Sequence, residues 1–162
     1  MTTNLTSPVS ARLEAIGIPF EWIGIPLDPE RKPIRSLEDL MTSRGMTPAQ
    51  IVRSLLFRAG SGGFILLAAP ATARVDWAAL RRALGERRLT MATPEQVLEV
   101  TGYPVGAVPP LALPESVTVL ADESIFTPER VVIGSGLLGW AIELAGAGLD
   151  RALAGTRRGR FV

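Results

Sequence analysis

The chain has no cysteine and no histidine, and Lys32 is its one lysine. Without thiol or imidazole there is no cysteine nucleophile, no histidine base and no zinc site of the usual ligand set, so a metal site is not expected. No apolar run approaches the length that spans a bilayer, and Met1–Ser10 lacks the basic and apolar regions of a secretory leader. A cytoplasmic protein without membrane contact is therefore expected. Charge of one sign is also missing: Lys and Arg total 17, Asp and Glu 16, for a net +1. That balance gives no whole-molecule field for nucleic acid, so any RNA contact must come from local arginine clusters. With 47% hydrophobic residues in a chain of 162, one compact domain over residues 1–162 is expected.

Several capping signals punctuate the chain. Val9, Leu13 and Ile16 follow Ser7 at helical spacing and stop at Gly17, while Phe20–Ile25 reads as a strand ended by Pro26. Ser36 opens a second helix. Ile51–Phe57 and Phe64–Ala69 are apolar runs around a Gly-rich loop, which predicts a central antiparallel hairpin. A helix over Val75–Leu84, a short strand at Arg88–Met91 and a helix opened by Thr93-Pro94-Glu95-Gln96 follow. Strands are expected at Val117–Ala121, Arg130–Ile133 and Trp140–Leu144, then a helix at Gly148–Ala154 and a basic tail with Arg157, Arg158 and Arg160. The fold class is α/β, of mixed α+β character: a mixed or barrel-like β-sheet with peripheral helices.

Gly134, Gly136 and Gly139 spell the dinucleotide-binding fingerprint after a strand, but a strand and not a helix follows, and only 23 residues remain. A Gly-rich turn between strands is the better reading. Arg81, Arg82, Arg87 and Arg88 form a second basic cluster, suited to acceptor-stem phosphates or simply to the end of a helix. Trp22, Trp77 and Trp140 read as core or as stacking platforms.

Three segments, in order, carry a resemblance. These are Gln50–Phe57, with Arg53-Ser54 before an apolar run; Thr101–Pro110, with Thr-Gly and then Gly106 to Pro110 as G-x-x-x-P; and Val117–Ser124, a strand ending in Asp122-Glu123, followed by Gly134-Ser135-Gly136. Together they resemble the YbaK and prolyl-tRNA-synthetase editing-domain family of aminoacyl-tRNA deacylases. The resemblance implies a YbaK-like fold and hydrolysis, in trans, of the ester of mischarged tRNA, typically tRNA for proline carrying alanine or cysteine. Binding discriminates a missing methylene by only about 1–3 kcal/mol, so a second, hydrolytic site is useful.

The resemblance also implies roles. Arg53 stands where the family usually has lysine and would anchor the terminal phosphate or ribose beside Ser54. Gly106, Ala107 and Val108 would offer amides to the ester carbonyl, and Pro109 and Pro110 would bind substrate with them. Asp122 would orient water or hold the substrate ammonium, or else cap a turn; Ser135 and Gly136 would line the amino-acid pocket. No cofactor is implied, since an ordered water and the terminal ribose hydroxyl replace a protein nucleophile. The partners are the aminoacyl-tRNA acceptor end and a synthetase. Because a forked guanidinium replaces the family's ammonium at Arg53, a non-catalytic tRNA- or synthetase-binding module of the same fold is the alternative.

Overall fold

The computed structural model describes residues 5–162; Met1–Asn4, part of the stretch read for a leader, lie outside the described residues. The chain runs α1 (Pro8–Ile16), β1 (Phe20–Gly24), α2 (Leu37–Ser43), β2 (Val52–Ala59), β3 (Phe64–Pro70), α3 (Trp77–Leu84), β4 (Leu89–Met91), α4 (Pro94–Thr101), β5 (Val117–Asp122), β6 (Arg130–Gly134), β7 (Trp140–Ala145), α5 (Gly146–Ala152) and β8 (Arg157–Gly159). Single 3-10 turns occupy Pro48–Gln50 and Glu123–Phe126.

The strands form two sheets. One is antiparallel, in the order β1-β7-β6, and the other is mixed, in the order β4-β2-β3-β5-β8. The mixed α/β class with peripheral helices is observed; of the two sheet forms expected, the described strands take the open, mixed one and close no barrel. β2 and β3 make the central antiparallel hairpin, with Arg53 opposite Ala69 and Leu55 opposite Leu67. β5 then joins β3 in parallel, after a crossover that contains α3, β4 and α4.

Side-chain caps set most helix starts. The Ser7 hydroxyl accepts from the Ser10 amide, and Thr93 and Gln96 form a reciprocal capping box at α4, satisfying amides the first turn leaves free. α3 starts two residues later than its apolar pattern suggests. Asp76 takes the cap by accepting from Ala79, and Val75 is left packing as the chain enters.

The basic tail is the largest departure. Arg157–Gly159 pairs in parallel with β5, opposite Leu120–Asp122, and Phe161 is buried in the cluster of Phe57, Leu80 and Leu120. Arg158 points its charge inward, 2.7 Å from Asp150 and 3.8 Å above the ring of Phe126, and Arg160 pairs with Glu123 at 2.6 Å.

The sheets meet over a cluster in which Val9 and Leu13 of α1, Leu149 of α5, Ala68, Ala121, Ile133 and Ile142 are all buried. A second link is an isolated parallel bridge between Ile51 and Val132, both buried, against Met41 of α2. This bridge lies just before β2 and within β6. It therefore brings the start of β2, an inner strand of one sheet, beside the middle of β6, the edge strand of the other.

Candidate active site

At that junction lies a cavity of about 560 Å³. Its walls come from five places: Ile25 and Pro33 after β1, Ser36–Glu38 at the start of α2, Ile51 with residues 52–56 of β2, Met91, Ala92, Pro94 and Val97 around β4 and α4, and the loop after α4 with Gly134 of β6. Along β2, Val52, Leu56, Phe57 and Ala59 are buried and Ser54 and Leu55 half-buried, while Arg53, near the start of the strand, is exposed.

Four of the sequence-predicted residues line the cavity: Arg53, Ser54, Gly106 and Val108. The Arg53 guanidinium lies 3.1 Å from the Glu38 carboxylate, and these are the charged side chains of the lining. The Ser54 hydroxyl oxygen is shielded from solvent and has no hydrogen-bond partner among the described residues. Such a group incurs a desolvation penalty that a bound acceptor or donor relieves.

The loop from Gly102 is built on a tight turn. The Ala107 amide donates to the Pro104 carbonyl at 3.0 Å, which places Gly106 at the third turn position with φ +95°. That conformation belongs to glycine, as in a type II turn. Thr101 holds the loop's start, since its hydroxyl accepts from the Tyr103 amide at 3.1 Å. The Tyr103 hydroxyl donates to the Ala112 carbonyl at 2.6 Å and so ties the loop's two ends. Burial pushes the Tyr103 phenol above its ordinary 10.0, partly countered by Arg12.

Of the three amides expected to face a carbonyl, Ala107's is thus committed inside the turn. Those of Gly106 and Val108 donate to no other described residue. Ala107, Pro109 and Pro110 are buried in the loop's packing and do not line the cavity.

Asp122 is not brought to the cavity. It is 2% exposed and its oxygens accept from the Phe161 amide at 2.7 Å and from the amide and hydroxyl of Ser124, so it caps a 3-10 turn and fastens the tail. Ser135 is likewise fully buried and bonded within its own turn, donating to the carbonyls of Leu137 and Trp140 and accepting from the Leu137 amide. The Gly136 amide donates to the Ala107 carbonyl at 2.8 Å, supporting the loop from behind.

The fingerprint-like glycines form the turn between antiparallel β6 and β7. Gly134 is the member that matters to the cavity: a Cβ there would stand 2.3 Å from the Val108 carbonyl oxygen. Sequence reasoning missed Glu38 and Gly134. Glu38 carries no motif, and Gly134 was visible as part of the Gly-rich turn but was given no role at the site. Trp22 packs edge-on with Trp140 and Trp77 with Phe57, away from the lining.

Among the described residues no group of His, Cys, Asp or Glu is gathered to hold a metal, and no helix is long and apolar enough to cross a membrane.

Comparison with known proteins is consistent with this geometry. The proline–tRNA ligase of Kosmotoga olearia is 33% identical over 101 residues, which are 62% of this chain and 17% of that one. The ligase of Thermotoga maritima is 31% identical over the same shares. The chain thus spans under a fifth of the length of these curated relatives. A crystal structure whose description names trans-editing for prolyl tRNA synthetase superposes with a TM-score of 0.75 at 26% identity, covering 97% of this chain and 98% of that one. The crystal structure of a hypothetical protein shares the fold at a TM-score of 0.81 and 24% identity, over 96% and 99% of the two chains. The aminoacyl-tRNA editing domain matches residues 31–152, three quarters of the sequence, and the chain belongs to that family.

Proposed function

We propose that this protein is an aminoacyl-tRNA deacylase that acts in trans, as a single folded unit, on tRNA for proline carrying a small wrong amino acid such as alanine or cysteine. The observation that carries the reading is the cavity itself. It gathers a cation at Arg53, an unpartnered hydroxyl at Ser54 and two uncommitted amides at Gly106 and Val108. Its volume of about 560 Å³ lies in the range of small-molecule sites, about 300–1,000 Å³, and leaves room for more than an amino acid.

In this reading Arg53 holds the phosphate of the terminal adenosine and Ser54 bonds the ribose or ester. The Gly106 and Val108 amides stabilise the oxyanion that develops when water attacks the ester carbonyl. The alkoxide leaves as the ribose hydroxyl. With no Cys or His in the chain, the neighbouring ribose hydroxyl and an ordered water supply the proton path. Arg82, Arg87 and Arg88, exposed and in no ion pair among the described residues, provide local positive charge for the acceptor stem.

A non-catalytic module is the second reading, favoured by the pairing of Arg53 with Glu38, which occupies the cation the substrate needs. Incubation with tRNA for proline charged with alanine, cysteine or serine separates the two. Loss of at least one ester well above the buffer rate is expected; binding without any loss would leave the module.

A further inference from the structure

Resting on the deacylase reading, we infer that Glu38 is the receptor for the α-ammonium group of the aminoacyl end, and that substrate separates Glu38 from Arg53. An aminoacyl-adenosine phosphate carries an anion at its phosphate and a cation at its amino group. The cavity carries the complementary pair, one guanidinium and one carboxylate 3.1 Å apart.

Other carboxylates near the sequence motifs are not available for this. Asp122 is buried in its cap, and Glu123 does not line the cavity. Glu38 lies on the first turn of α2 and keeps 37% of its side chain exposed, so an incoming group can reach it. The exchange conserves charge. Arg53 trades a carboxylate for a phosphate, Glu38 trades a guanidinium for an ammonium, and neither ion is left unpaired at any stage. The pair itself has little to lose, because exposed ion pairs are weak. It holds both side chains at the cavity's edge until the ligand replaces it.

A charge-sensitive receptor also gives the site a selectivity that volume cannot. An alanyl and a lactyl group have nearly the same shape, but only the first bears an ammonium.

The test uses hydrolysis-resistant ligands, 3′-alanylamido- and 3′-lactylamido-adenosine 5′-phosphate, titrated against the wild type, Glu38→Gln and Glu38→Asp. The wild type is expected to bind the alanyl ligand about tenfold more tightly, the ratio one charge-assisted hydrogen bond supplies. Glu38→Gln should abolish the preference by weakening the alanyl ligand alone, and Glu38→Asp should keep part of it. An unchanged preference in folded Glu38→Gln, or no binding of either ligand to the wild type, overturns the assignment. Deacylation measured in parallel reports on the activity separately. Preference without turnover retains Glu38 as receptor and removes hydrolysis, whereas turnover with a preference indifferent to Glu38 does the reverse.

Discussion

At the scale of single residues, Arg53 and Asp122 divide sharply although both stand in the segments that resemble the family. Arg53 reaches the cavity from the exposed start of β2. Arg53→Ala should lower kcat/KM for the mischarged tRNA by about 10- to 100-fold, the worth of a charge-assisted contact, and Arg53→Lys should keep or raise it. Equal rates in all three proteins would remove the anchor.

Asp122→Ala should instead destabilise the fold by roughly 2 kcal/mol, from a lost cap and an orphaned Phe161 amide, at unchanged activity per folded molecule. Chemical denaturation and active-site titration together read both quantities. Gly134→Ala forces a Cβ into the Val108 carbonyl, so the loop must retreat; a loss of about 1–3 kcal/mol in stability is expected, together with a clear drop in rate.

Residue types in order were enough to single out Arg53, Ser54, Gly106 and Val108 before any coordinates. Glu38 was not legible, and Gly134 only as one glycine of a turn, because what each touches, Arg53 for one and Val108 for the other, is far away in sequence.

At the scale of elements, local chemistry was readable and distant pairing was not. Thr93 to Gln96 announces α4 because the cap is made within four residues. Nothing local announces β8, whose three residues Arg157–Gly159 have no apolar alternation and become a strand only because β5 leaves an edge for them. The parallel union of β3 and β5 is hidden for the same reason.

The loop after α4 behaves as an element too, braced by Thr101, Tyr103 and the Gly136 amide. Gly106→Ala must hold a side chain at φ +95°, which costs about 1–2 kcal/mol, and should impair turnover more than folding. A folded, fully active variant would take the loop out of the chemistry.

Tyr103 gives the same loop a pH limit. Its folded pKa is raised by burial, so the neutral phenol contributes stability below the unfolded value near 10.0 and loses it as pH rises further. Stability curves should therefore fall at alkaline pH in the wild type, and less so in Tyr103→Phe.

At the scale of the whole molecule, the net charge of +1 means that affinity for tRNA cannot come from a general field. Replacing Arg87 and Arg88 by Glu should weaken tRNA binding and reduce the slope of log K against log salt by about two, nearly one unit per lost phosphate contact. An unchanged slope would place those arginines outside the interface.

Both sheets contribute to the cavity wall, and the Ile51–Val132 bridge joins them beside it. Two residues beyond it on one side is Arg53; two residues beyond it on the other is Gly134. The bridge thus works as a fixed caliper between two backbone positions of the wall. The width it sets should shift when the buried volume at Ile51 or Val132 changes, whereas exchanging Arg53 or Glu38 should alter the site's charge and leave that width unchanged.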